Sequence, residues 1–334
     1  MPAVSVLVPC YNVEKFIRQC MDSIVNQTLT DMEIICLNDG STDSTLAILQ
    51  EYAAKDSRVR IIDKPNSGYG DSMNRGLEAA TGEYIGIVES DDWAEANMFE
   101  SLYKAAKEQN ADMVKSNFYD YLGGKSTLHK IIPTEDAEQV IRPRECLAIF
   151  WEASFIWTGL YRRDWLNQNG IRFLPTPGAS YQDVGFNFKT LACAERAWFT
   201  CNAFLHYRRD NENSSVKSAA KIWSVCDEHH EIEQFMAMRL ERSSLVPVAM
   251  RMKYQSYYWN FRRLAIPVDR EFCLHASKEF RKDFANGRVQ ENLFKPKHYR
   301  KLQRWAFSPW LFMLDELFSS NGRKKLIQSL RGGK

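Results

Sequence analysis

No two cysteines of this chain stand in a Cys-x-x-Cys pair, so a zinc site built on cysteine spacing is not expected. The eight cysteines, Cys10, Cys20, Cys36, Cys146, Cys193, Cys201, Cys226 and Cys273, are scattered, most of them in apolar runs. They read as small buried hydrophobes of a reducing compartment, not as a disulfide framework. No stretch reaches the roughly 18 continuous apolar residues of a membrane span. The opening MPAVSVLVPCYN lacks a basic leader and a cleavage site, so no secretory signal is expected. Neither a Gly-x-x-x-x-Gly-Lys loop nor a Gly-x-Gly-x-x-Gly turn occurs, which withdraws support from phosphoryl transfer and dinucleotide binding. Internal repeats, low-complexity segments and nucleic-acid-binding motifs are missing as well. Together these absences lead us to expect a cytoplasmic globular protein with no nucleic-acid partner.

What is present is a chain of 334 residues, 45% hydrophobic and 26% charged. That is enough for one large domain, or for a domain and a second unit. A net charge of +2 hides an asymmetry. Residues 1–250 hold 25 Lys and Arg against 35 Asp and Glu, a net of −10, whereas residues 251–334 hold 19 against 7, a net of +12. Such a split suggests two units with different partners.

The first 120 residues alternate strand and helix signals. VSVLVP (4–9), MEIICLND (32–39), VRIID (59–63) and YIGIV (84–88) read as strands, with amphipathic helices over 13–27, 43–55, 68–81 and 95–109 and a further strand over 112–121. The fold class that follows is α/β, with a mostly parallel central sheet covered by helices. In such sheets ligands bind beyond the carboxyl ends of the strands. The distinctive polar loops fall there: PCYN, NDGSTD, NSGYGD and ESDD. A Pro/Gly loop, LPTPGASYQD (174–183), then leads into a helix over 184–195, and AWFTCNAFLHYRR (197–209) reads as strand. From about residue 220 the pattern turns helical, basic and aromatic. The expected division is 1–215 and 216–334.

Each polar loop admits a capping reading and a chemical one. Thr42 or Asp43 would serve as a helix N-cap, while Asp39 would face a ligand with donors such as a nucleobase N–H. The Gly-rich loop around Gly70 suits an anion or sugar. Asp91 or Asp92 would cap the helix at 95–109, or the knot Glu89-Ser90-Asp91-Asp92 would seat Mg²⁺ or Mn²⁺ at a strand end. Asp183 would cap its helix, or act as general base for an acceptor hydroxyl, kept ionised by the helix N-terminus. Arg208 or Arg209 would contact a diphosphate, or lie in a basic surface loop.

Taken in order, VSVLVPCYNVEKFIRQCMDSIVNQT, NDGSTD, NSGYGDSMNRGLEAATGEYIGIVESDDW and YQDVGF resemble family 2 glycosyltransferases of the GT-A fold. The resemblance covers about residues 1–215. It implies that Pro9, Tyr11, Asn12, Glu14 and Asp39 line the base and ribose of a nucleotide-sugar, a UDP-sugar before others. It also implies that Glu89 lies near the ribose, that Asp91 holds the divalent metal, and that Asp183 is the catalytic base of an inverting transfer. Ser90, Asp92, Gln182 and Arg208 fall beside the diphosphate or the acceptor. Two departures stand out: Glu89 and Gln182 occupy places where the family has Asp and Glu. The acceptor implied is a glycan or lipid-linked hydroxyl in cell-envelope or capsular polysaccharide synthesis.

Two other functions stay open. A nucleotidyltransferase making nucleotide-sugars would want a Gly-rich basic loop after the first strand, which PCYNVEKF is not. A nucleotide-sugar-binding subunit would bind without turnover. In the C-terminal region, YYWNFRRL (257–264), KPKHYRKLQRWAFSPWLFMLDELF (295–318) and GRKKLIQSLRGGK (322–334) interleave basic and aromatic residues. That pattern fits either peripheral contact with the inner face of the cell membrane or a helical bundle with an aromatic core.

Overall fold

A computed structural model describes residues 1–211, 222–266 and 268–319. The chain divides into two compact units, Met1–Asn213 and Ser214–Lys334.

The first unit begins β1 (Val4–Cys10), α1 (Ile17–Val25), β2 (Met32–Asp39), α2 (Thr45–Lys55), β3 (Val59–Lys64), α3 (Tyr69–Ala79) and β4 (Tyr84–Ile87). It continues with β5 (Trp93–Ala94), α4 (Met98–Glu108), β6 (Met113–Leu122), β7 (Lys125–His129), β8 (Val140–Ile141), α5 (Ile149–Glu152), β9 (Gly159–Arg162), α6 (Arg163–Gln168), α7 (Gln182–Cys193) and β10 (Ala197–Arg208). One sheet runs in the order β3-β2-β1-β4-β9-β6-β10-β5, with β7 on β6 and β8 on β10. Strands β3, β2, β1 and β4 are mutually parallel, as are β6 and β10, while β9 runs against both of its neighbours. Every residue of β1 and β4 is buried. Strands covered on both faces show a continuous apolar run in place of alternation, which is why these segments were legible.

Helix α1 buries Ile17, Cys20, Met21 and Ile24 at helical spacing. The start of α4 differs from expectation. Trp93 and Ala94 are drawn into the sheet opposite His206 and Leu205 of β10, so the helix begins only at Met98, with Asn97 at its N-cap. Asp91 and Asp92 therefore do not cap it. The eight cysteines are free thiols, five of them buried.

The second unit is helical: α8 (Ser224–Ala237), α9 (Val246–Arg263), α10 (Val268–Ala285), α11 (Pro296–Phe307) and α12 (Pro309–Phe318). Part of its aromatic content is core. Trp305 is fully buried, stacks on Phe312 with centroids 4.5 Å apart, and donates its indole N–H to the Cys273 carbonyl at 3.0 Å. Lys253 is buried among Glu233, Glu279 and Asp283, at 3.6, 2.8 and 3.0 Å. No helix among the described residues is long and apolar enough to cross a membrane. The basic segment 322–334 lies outside the described residues.

Candidate functional site

The loops after β1 and β2 are stitched to each other. Asn12, with φ +51, accepts from the Thr42 amide at 2.8 Å and donates its own amide to the Ser41 hydroxyl at 3.1 Å. The Glu14 carboxylate accepts from the Ser44 amide at 2.9 Å, and its amide donates to Asp43 at 3.1 Å. Asp43 also accepts from the Thr45 amide at 2.9 Å. The side chains of Asn12 and Glu14 thus fix the two loops, while Tyr11 leaves its ring 52% exposed at the sheet edge. Pro9 is buried in β1 opposite Leu37.

Asp39 ends β2, buried. It takes the Ser67 amide at 2.8 Å and the Gly68 amide at 3.0 Å, and pairs with the ammonium of Lys64. A carboxylate has about four acceptor sites, so Asp39 shapes the third loop and keeps capacity for one more donor. That loop depends on glycine. A Cβ on Gly70 would lie 2.0 Å from the Leu174 carbonyl oxygen, and Gly68, at φ +99, meets Gly178 and Thr176 in the same way. The glycines of NSGYGD therefore admit the 174–178 segment, and Tyr69 donates its amide to the Gly178 carbonyl at 2.9 Å.

The fourth loop carries the acids. Glu89 accepts from the Tyr69 hydroxyl at 2.7 Å. Asp92 is buried; one oxygen accepts from the Arg208 amide at 2.8 Å, and the other has no hydrogen-bond partner. Asp91 is part-buried and accepts from Asn211 at 2.8 Å. Arg208 clamps this loop. Its guanidinium donates to the Asp91 carbonyl at 2.8 Å and to Gln19 at 2.5 Å, and lies 4.8–5.2 Å from the rings of Trp93, Phe16 and Tyr121. Arg209 pairs with Asp120 at 2.7 Å. Arg208 thus holds the acidic loop in shape, a duty that sequence reasoning missed. Buried Ser90 lies between the acids.

Asp183 stands exposed in the first turn of α7. It follows Tyr181, whose φ of +65 bends the chain into the helix. Gln182 is 2% exposed. Its amide reaches the Thr176 hydroxyl at 2.8 Å and the Gly178 carbonyl at 3.1 Å, and its oxygen takes the Ser180 amide at 2.5 Å. Gln182 therefore braces the loop instead of facing out.

The carboxylates feel one another. Burial pushes Glu89 up to about 8, and the charges of Asp91 and Asp183 push the same way against the bond from Tyr69. Burial and Asp91 push Asp92 well above the usual carboxylate range. Desolvation by the surrounding protein raises Asp183, while helix amides and the charge of Lys115 pull it down. Lys115 on β6 is fully buried and bonds the Ala153 carbonyl at 2.5 Å and Asn187 at 2.7 Å. The arrangement is a patch of mutually repelling carboxylates at the carboxyl edge of a parallel sheet, with a bare acceptor on Asp92. Oxygen donors of this kind suit a hard divalent cation.

Elsewhere among the described residues, Cys226, His275 and Glu279 lie within 4.8 Å of one another. Glu279 is engaged there by Lys253, Tyr257 and His275, and burial pushes the Cys226 thiol up to about 12.

A family model described as glycosyl transferase family 2 matches residues 5–170. The uncharacterized glycosyltransferase EpsJ of Bacillus subtilis is 34% identical over 69% of this chain and 67% of its own length. A chondroitin synthase of Escherichia coli is 45% identical over 30% of this chain and 15% of its own length. The chain spans 61% and 63% of two further bacterial glycosyltransferases. Among solved structures, residues 1–349 of Staphylococcus aureus TarS in complex with UDP-GlcNAc superpose with a TM-score of 0.61 at 18% identity, over 91% of each chain. At that identity the likeness carries the fold, a GT-A arrangement.

Proposed function

The chain belongs to glycosyl transferase family 2, and from that premise we propose that it moves a sugar from a nucleotide-sugar to a hydroxyl of a glycan or lipid-linked acceptor, with inversion. The observation that carries this reading is the acidic cluster at the strand ends, where burial and the charges of Asp91 and Asp183 push Glu89 up, and burial and the charges of Asp91 and Glu89 push Asp92 up. Asp183 is the group that meets the acceptor. It is open to solvent, and its raised pKa makes it a stronger base than an ordinary carboxylate. It takes the acceptor hydroxyl proton as the oxygen attacks the anomeric carbon. The bond from that carbon to the diphosphate breaks, and the nucleoside diphosphate leaves with the electron pair.

Asp91, with Glu89 beside it, would hold the divalent cation, Mn²⁺ or Mg²⁺; when bound, the ion supplies positive charge toward the leaving diphosphate. The bare oxygen of Asp92 and the repulsion that Asp91 and Glu89 exert on it support that fit. Tyr11, exposed at the edge beside Asp39, is the surface offered to the base. Because a solved structure of the same fold holds UDP-GlcNAc, a UDP-sugar is the first donor to try. The similarity to a chondroitin synthase favours a growing glycan as acceptor, in the synthesis of an envelope or capsular polysaccharide.

Asp183→Asn tests the reading. The variant is expected to lose sugar transfer while still binding UDP with Mn²⁺, because the base is gone and the nucleotide seat is not. Normal transfer by this variant would remove Asp183 from the role of base. A wild-type chain that binds nucleotide-sugar and turns none over would instead be a binding subunit.

A further inference from the structure

Helix α12 buries one side and leaves the other open. Phe312 and Glu316 are buried, and Phe312 lies against Trp305, Tyr258 and Phe261. On the other side Trp310, Leu311, Leu314 and Phe318 are 57, 55, 49 and 69% exposed. At about 100° per residue these four fall within an arc of about 100°. Phe307, the last residue of α11, is 56% exposed just before them. A run of large apolar side chains left open in this way marks an interaction surface.

The charges around the stripe say what covers it. The two acids of α12 are already neutralised: Asp315 pairs with Arg304, and Glu316 accepts from Lys301 and Tyr258. The Arg270 guanidinium lies 5.8 Å from the Trp310 ring. Residues 320–334 start where the stripe ends, and in sequence they hold Arg323, Lys324, Lys325, Arg331 and Lys334 with no acid. A second copy would bring two segments of net +12 together, which self-repulsion disfavours. An anionic bilayer removes that repulsion.

We propose that the open face of α12 is a docking surface for an anionic membrane. The helix lies in the plane of the interface, with Trp310 at the headgroups, Leu311, Leu314 and Phe318 in the acyl boundary, and Arg270, beside Trp310, on the lipid phosphates. It does not span: ten residues reach about 15 Å, half of a hydrocarbon core of about 30 Å. The inference rests on observations separate from the sugar-transfer reading and stands or falls apart from it.

The experiment is co-sedimentation of the full chain with vesicles of phosphatidylglycerol in phosphatidylcholine, against phosphatidylcholine alone, at low and high salt. Binding is expected to the anionic vesicles, weakened by salt. Trp310→Glu with Leu314→Glu changes two exposed side chains, so the helix keeps its core contacts; melting curves check this. Partitioning of the double variant should fall about tenfold or more. No binding by wild type at low salt, or equal binding by the variant, overturns the proposal. So does a dimer in light scattering that the double variant dissociates while neither protein sediments with lipid, since the face would then belong to a second copy.

Discussion

Lys115 is a buried lysine whose bonded partners are both neutral, the Ala153 carbonyl and the Asn187 side-chain oxygen. Burial pushes its amine down to about 7, and the charge of Asp183 works against that fall. The coupling is mutual, for Lys115 in turn lowers Asp183. Lys115→Met should therefore let the base climb. Because the base proposed here works only when ionised, the acid limb of the pH–rate profile is expected to move to higher pH, with the largest loss of turnover at the acid end. An acid limb that stays in place would break the link. The same change has a thermodynamic signature. The folded amine titrates near 7 and the unfolded one near 10.5; between those values the unfolded chain holds the extra proton, so stability rises with pH across that window. The variant should lose this slope, while the two acceptors left unpaired cost about 1–3 kcal/mol. Nothing in the sequence pointed to Lys115, because the fold brings β6 beneath α7 from about 70 residues away. Glu89, Asp91 and Asp183 were legible as candidates because each closes or opens an element in a stretch whose type is plain. Asn12, Glu14 and Gln182 were assigned toward ligands, yet their described bonds tie loops together, a duty that side-chain chemistry alone does not distinguish from binding.

At the scale of elements, the central strands could be read because burial on both faces leaves them mostly apolar, with Ser5 bonded to Glu33 as the interior exception, and their ends could be read because polar loops follow. In the other half of the sheet, β6 and β10 were read as strands over 112–121 and 197–209, whereas β9 and β5 were not. A four-residue strand such as β9 and a two-residue strand such as β5 carry too little pattern of their own; their pairing is dictated by partners far along the chain. The same holds for the contact between the third loop and the 174–178 segment, which accounts for both glycines of NSGYGD. Gly70→Ala places a methyl group 2.0 Å from the Leu174 carbonyl oxygen, and backbone on both sides must shift to admit it. The expected cost is about 1–3 kcal/mol, read as a lower melting temperature. Tyr69 follows the same loop, so its bond to Glu89 should slacken and UDP binding weaken alongside. An alanine variant that melts and binds like wild type would show that the two loops are not packed in this way.

For the molecule as a whole, the acidic loop is a source of instability that a cation is suited to relieve. Asp92 keeps a buried oxygen without a partner, and Glu89 holds its proton up to about pH 8 under the push of burial, Asp91 and Asp183. An ion that binds the folded chain and not the unfolded one stabilises it by RT ln(1 + [L]/Kd), about 2.7 kcal/mol at a hundred times Kd. Adding Mn²⁺ to metal-stripped protein should raise the melting temperature of the unit that carries these acids. The rise should grow between pH 6 and pH 8, within about a pH unit or two of the Glu89 value, because proton and metal compete for the same carboxylate. Asp91→Ala should abolish the shift while leaving the metal-free protein close to wild type in stability: Asp91 is part-buried, and the bond it gives up is to Asn211. Calorimetry with and without Mn²⁺ at the two pH values checks all three statements. An equal shift in wild type and Asp91→Ala would move the cation away from this loop, and with it the reason for four carboxylates to converge on one sheet edge.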